Sequence, residues 1–254
     1  MGAELNQLRF QDQHIENLIN CMNLHMEQTY CEAPLRHQSY ELSRTTRDNS
    51  RIEERLFEKA IWSQWHYSVD EVALKPFLKN HCEYIQSYQV PLQKSRKDEK
   101  WGKIDLVGVT SYFTPSVIEL KRKNSKETPL RMIIEGVAYA LAIRKSWNHQ
   151  DGSMYEQWKA IENLTEAQLE IPETLNTVPV IGIAPSEYWN RKFGQSDKVK
   201  SDRVPSETWP AFKGLCRKFA ERGFPITLMQ FESEETDDTG LPKITNLRKV
   251  TLPK

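Results

Sequence analysis

The chain has 254 residues, 38% of them hydrophobic and 28% charged, with 35 basic and 35 acidic side chains and so no formal net charge. That length suits one large core or a core with an appendage. No apolar run approaches the roughly twenty residues of a membrane span, and neutrality gives no overall attraction to nucleic acid. The first residues, Met1-Gly2-Ala3-Glu4-Leu5-Asn6, lack the basic and apolar parts of a secretory leader, and Asn6 stands where a myristoylation motif wants Ser or Thr, so a cytoplasmic location is expected.

Residues 7 to about 29 carry an apolar stripe at helical spacing: Leu8, Ile15, Leu18, Ile19, Met22 and Met26. The polar segment 32–49 reads as a linker or arm. It separates an N-terminal helical extension, 1–47, from a main domain, 48–254. A helix is expected over about 50–66, capped by Asp48, Asn49 or Ser50. Phe57 and Ile61 follow Glu54 by three and seven residues, which puts Glu54 on the apolar face; Glu58 lies one turn later on the same stripe. A short helical piece over 72–78 and a strand over 83–90, ended by Pro91, come next.

Two apolar runs then carry charge where a buried strand should be greasy. They are Ile104-Asp105-Leu106-Val107-Gly108-Val109 and Val117-Ile118-Glu119-Leu120-Lys121. Side chains two apart in a strand share a face, so Glu119 and Lys121 project together while Ile118 and Leu120 point to the opposite side. If the runs pair as a hairpin, Asp105 joins them. Two carboxylates and an ammonium on one patch suit a divalent cation and an attacking water. The bland alternative is an edge strand whose Glu119 and Lys121 form an ordinary surface pair.

A helix start follows, with Thr128 as cap and Pro129 at the first helical position, and the apolar run continues to Ile143. Glu135 and Tyr139 stand four apart, one above the other on a helix face. Further helices are expected over 154–169, with a break at Asn163-Leu164-Thr165, and over 206–222, closed by Gly223. Strands are expected over 178–184, 224–231 and 244–252, with an acidic turn over 232–240. The order predicts an α/β domain: a mixed central sheet flanked by helices.

The Asp105 strand and the Glu119-Leu120-Lys121 strand, with thirteen residues between Asp105 and Glu119, resemble the core motif of the PD-(D/E)xK, or restriction-endonuclease-like, nuclease superfamily. Ile104 replaces the usual Pro. The similarity covers roughly residues 50 to 147. A second match to the (D/E)-x-K pattern, Asp98-Glu99-Lys100, lies in a run without apolar alternation and reads as a solvated loop.

The resemblance implies a metal-dependent nuclease whose catalytic residues are Asp105, Glu119, Lys121 and a first-helix acid, Glu54 in preference to Glu58. It implies Mg²⁺, or Mn²⁺ in its place, held by Asp105, Glu119, the Leu120 carbonyl and Glu54. It also implies nucleic-acid contacts from Lys103, Arg122, Lys123, Arg131, Glu135 and Tyr139, with Glu135 standing where relatives carry Gln. Tyr139 also fits as a plain core aromatic.

Lys94, Arg96, Lys97, Lys100 and Lys103 precede the Asp strand, and Lys121, Arg122, Lys123 and Lys126 follow the Glu strand, where a phosphate backbone would need counter-charge. A third cluster, Arg191, Lys192, Lys198, Lys200 and Arg203, reads as a solvated loop. Of the seven tryptophans, Trp101 is the candidate for stacking on a base. No Cys-x-x-Cys pair and no Gly-rich phosphate loop occur, which argues against a zinc ribbon or a nucleoside triphosphatase; His14, Cys21 and His25 are a remote zinc candidate. The expected partner is nucleic acid, most naturally DNA, with a homodimer as a further expectation. The competing reading is a binding or assembly domain that keeps the nuclease fold without cutting. Glu119→Ala and Lys121→Ala are expected to abolish cleavage with little change in melting.

Overall fold

The computed structural model describes residues 53–66, 76–79, 81–91, 103–148, 153–160, 171–193, 208–234 and 240–252. The amphipathic segment 7–29, the 32–49 arm, the helix caps at 48–50, most of the 72–78 piece, Trp101, the basic run 94–100 and the His14/Cys21/His25 set all lie outside them.

The elements in chain order are α1 (Glu53–Trp65), β1 (Tyr84–Pro91), β2 (Lys103–Val109), β3 (Pro115–Leu120), α2 (Pro129–Trp147), α3 (Ser153–Lys159), β4 (Val180–Pro185), α4 (Ser186–Phe193), α5 (Trp209–Glu221), β5 (Ile226–Glu234) and β6 (Lys243–Lys249). The six strands form one sheet in sequence order. β1, β2 and β3 are joined antiparallel, β3, β4 and β5 are parallel, and β6 returns antiparallel along β5. The chain is therefore α/β, with a mixed sheet flanked by helices.

Burial follows the period of two. Ile118, Leu120, Ile181, Ile183 and Phe231 pack on one face against Phe57, Ala60 and Ile61 of α1. Val107, Val109, Val117 and Val180 pack on the other against Met132, Ile133 and Val137 of α2. Every residue of β3 and β4 is buried, as parallel strands covered on both faces require.

Two glycines bring α2 close to the sheet. A Cβ on Gly136 would sit 2.6 Å from a Val180 methyl, and one on Gly182 would sit 2.5 Å from the Met132 sulfur. Gly182 pairs in register with Glu119, so the slot that receives the Glu119 side chain is bordered by both.

Thr128 and Pro129 start α2 as expected, the Thr hydroxyl accepting from the Arg131 N–H at 3.3 Å. Three expectations fail. The stretch read partly as a solvated loop contains α4, whose Tyr188, Trp189 and Lys192 are buried. The local pattern is misleading because this helix is only eight residues long and places a lysine among its inward positions. The acidic turn begins later than expected, since β5 runs on to Glu234 along β6. The last strand stops at Lys249, short of Leu252.

Candidate active site

β2 and β3 pair from Val109↔Pro115 to Leu106↔Ile118, and their ladder stops there. Asp105 lies just beyond that point on β2, with Glu119 and Leu120 just beyond it on β3. The Asp105 carboxylate takes the vacant acceptor position: its Oδ2 receives the Leu120 N–H at 2.8 Å. The strand ends thus part where the charged residues sit, and Asp105 is tied to the backbone beside Glu119.

Glu119 and Lys121 do share a side, opposite to Ile118 and Leu120. The Lys121 ammonium, on a residue only 5% exposed, lies 2.6 Å from Glu119 Oε1. It is also 2.9 Å from Glu127 Oε2 and 3.1 Å from Glu135 Oε2. Its three N–H bonds thus face three carboxylates. Arg131 closes the network, with Nε 2.8 Å from Glu135 Oε1 and 3.3 Å from Glu127 Oε1. Glu135 is therefore paired with both cations.

The second carboxylate oxygen of Glu119, Oε2, is buried and has no hydrogen-bond partner. A buried acceptor without a donor is costly.

The ionisable groups of the site shift one another strongly. Burial pushes the Asp105 carboxyl up to about 7, against the pull of Lys121 and the Leu120 N–H. Burial and the neighbouring Asp105 raise Glu119 well above the usual carboxylate range. Burial would lower Lys121, but Glu119, Glu135 and Asp105 outweigh it and hold the ammonium charged. Burial would raise Glu135, yet Lys121 and Arg131 outweigh it and hold that carboxyl low. Acids outnumber the cations that reach them.

The first helix contributes both of its candidate acids. Glu58 is 1% exposed; burial and the facing Asp105 push its carboxyl up to about 9. Its Oε2 accepts from Gln89 Nε2 at 2.6 Å. Gln89 lies between the Tyr88↔Leu106 and Val90↔Ile104 pairs, alongside Asp105, with φ of 51°. That left-handed backbone is costly for Gln and breaks the alternation of β1, so that Tyr88 and Val90 join opposite faces. Glu54 is half-buried, and burial raises its carboxyl against the pull of Lys121. Both helix acids thus lie near Asp105, which raises Glu58 and is itself raised by Glu54, and Glu58 is the more deeply buried of the two.

Of the expected nucleic-acid contacts, Lys103, Arg122 and Lys123 are exposed at the ends of β2 and β3. Arg131 and Glu135 are committed to the ion-pair network, and Tyr139 packs half-buried against the core. Sequence reading missed Glu127 and Gln89 as site residues. Glu127 lies in a polar loop with no periodic signal, and Gln89 is aimed by a backbone kink.

Asp105 and Glu119 offer carboxylate oxygens, one of them unpartnered, and such oxygens are the kind of donor a hard divalent cation takes. Among the described residues, no three His, Cys, Asp or Glu side chains already form a coordination shell. Lys121 instead occupies the space among three of the acids.

No family model, no curated protein and no solved structure matches this chain. No helix among the described residues is long and apolar enough to cross a membrane.

Proposed function

We propose that the chain is a metal-dependent nuclease that hydrolyses phosphodiester bonds, with DNA as the substrate in a repair, restriction or defence setting. The observation that carries this reading is the gathering of Asp105, Glu119 and Lys121 at the parted ends of β2 and β3, with Glu119 Oε2 left without a donor.

Asp105 and Glu119 would hold Mg²⁺ or Mn²⁺, helped by the Leu120 carbonyl and by Glu54 or Glu58. When bound, the ion polarises a water and offsets charge building on the phosphate. Lys121 is kept protonated by its carboxylates, so its role is to donate hydrogen bonds to the reacting phosphate and water, not to abstract a proton. Arg122 and Lys123, exposed on the loop just after β3, would meet the flanking phosphates.

A cleavage assay on plasmid, linear and single-stranded DNA with Mg²⁺ or Mn²⁺ tests the proposal. Glu119→Gln and Lys121→Met should each remove activity, while Lys123→Ala should weaken binding and shrink its salt dependence by roughly one counter-ion. Full cleavage by both site variants would refute the assignment.

The second reading is a nucleic-acid-binding or assembly domain that does not cut. It is favoured by the saturation of Lys121 with three carboxylates and by the lack of a ready-made three-acid shell among the described residues. Its signature is a complex whose formation ignores Mg²⁺.

A further inference from the structure

Three side chains of α4 reach across to the loop that joins β3 to α2. Arg191 Nη2 donates to the Ser125 carbonyl at 2.6 Å, Lys192 Nζ to the Lys126 carbonyl at 3.2 Å, and the Tyr188 hydroxyl to the Glu127 carbonyl at 3.0 Å. Three successive carbonyls are thus held by one short helix more than sixty residues away in sequence.

This arrangement is expensive to build. Lys192 is 1% exposed and Tyr188 is fully buried, with the ammonium 5.6 Å from the Tyr188 ring centroid. A buried ammonium pointed at a backbone carbonyl contributes little to net stability compared with an apolar side chain of the same size. Its use lies in what the loop carries. Glu127 is the third carboxylate on Lys121 and also meets Arg131. It is more exposed than Glu119, the side chains being 32% and 5% accessible, so it lies on the solvent side of the Lys121 ammonium.

We propose that Tyr188, Arg191 and Lys192 are positioning residues that act through Glu127: by fixing the backbone of 125–127 they fix the Glu127 carboxylate, which with Glu119 and Glu135 sets where the Lys121 ammonium stands. This rests on the nuclease reading, in which Lys121 donates to the reacting phosphate. A lysine has several rotatable bonds, and a carboxylate on each of three sides replaces that freedom with one location. Loss of the grip leaves substrate binding by Arg122 and Lys123 in place but misplaces the group that acts in the transition state.

Two measurements on the full-length chain test this. The first is hydrogen exchange of peptides spanning 122–128 in wild type, Tyr188→Phe, Lys192→Met and Lys192→Arg. The second is Mn²⁺-dependent DNA cleavage by the same set and by Glu127→Gln alone and combined with Tyr188→Phe. Tyr188→Phe keeps the ring and deletes one hydrogen bond. It should speed exchange in 122–128 without affecting β4, and lower kcat about fivefold with KM unchanged. Lys192→Met should do more, and Lys192→Arg should recover much of the loss.

Because the grip acts through Glu127, Tyr188→Phe should cost little further once Glu127 is Gln. Unchanged exchange, or fully additive losses in the double variant, would overturn the inference while wild-type cleavage upholds the nuclease reading. Absence of cleavage by wild type itself would sink that reading, and the positioning role with it.

Discussion

Replacing Lys121 by Met removes the one buried cation among Glu119, Glu127 and Glu135 while keeping a stem of similar length. The ammonium makes contacts of 2.6, 2.9 and 3.1 Å with those acids. Arg131 still serves Glu127 and Glu135, but Glu119 is left in its slot with neither oxygen partnered. Breaking a buried pair from one side costs about 3–5 kcal/mol, a large share of the roughly 5–15 kcal/mol that holds a typical domain together. The expectation from sequence that such a change leaves melting nearly unaltered is therefore revised by the burial of Lys121.

The cost should depend on pH, because Glu119 can escape it by taking up a proton. A carboxyl whose folded pKa lies above its unfolded value binds more protons in the folded state across the interval between the two, so stability falls as pH rises through it. Without Lys121 the Glu119 carboxyl rises further and that fall extends to higher pH. Urea unfolding of wild type and Lys121→Met at pH 5 and pH 8 measures the difference directly. The gap between the two proteins should be several kcal/mol at pH 8 and clearly smaller at pH 5. A gap of equal size at both pH values, or a variant as stable as wild type at pH 8, would show that Glu119 does not depend on Lys121.

Glu58→Gln should raise the melting temperature at pH 8 to 9 and flatten its decline with pH, since the Glu58 carboxyl, held up to about 9, loses stability as pH rises toward that value; Glu54→Gln, at a half-buried position, should do so less, and thermal scans in parallel buffers compare them. Mn²⁺ should raise the melting temperature by an amount equivalent to about 2.7 kcal/mol at a hundredfold excess over Kd. The rise should be larger at pH 8 than at pH 6, because protons compete for an Asp105 carboxyl that sits near 7, and it should vanish in Asp105→Ala. Gly136→Ala should destabilise the fold by about 1–3 kcal/mol despite its better helix propensity, because the new methyl meets a buried Val180 methyl at 2.6 Å; chemical denaturation reads the loss.

Much of the sheet was legible from local pattern. The charged residues in two apolar runs marked β2 and β3, and the Thr128-Pro129 start marked α2, because both signals lie within a few residues of one another. The site's supporting parts were not legible. Lys192 looks like a member of a basic surface cluster until α4 turns it inward, and the deeper burial of Glu58 than of Glu54 depends on how the helix packs on the sheet.

Sequence by itself determined the α/β class and the placing of Asp105 in one apolar run and of Glu119 and Lys121 on one side of the next, since alternation and turn chemistry are properties of adjacent residues. Only the tertiary structure decided that Lys121 is enclosed by Glu119, Glu127 and Glu135, that Glu58 is buried against Gln89, and that α4 holds the loop carrying Glu127. Each of these contacts joins residues far apart along the chain or aimed by a backbone kink, and the energy of a buried charge depends on what surrounds it in space, which no local pattern records.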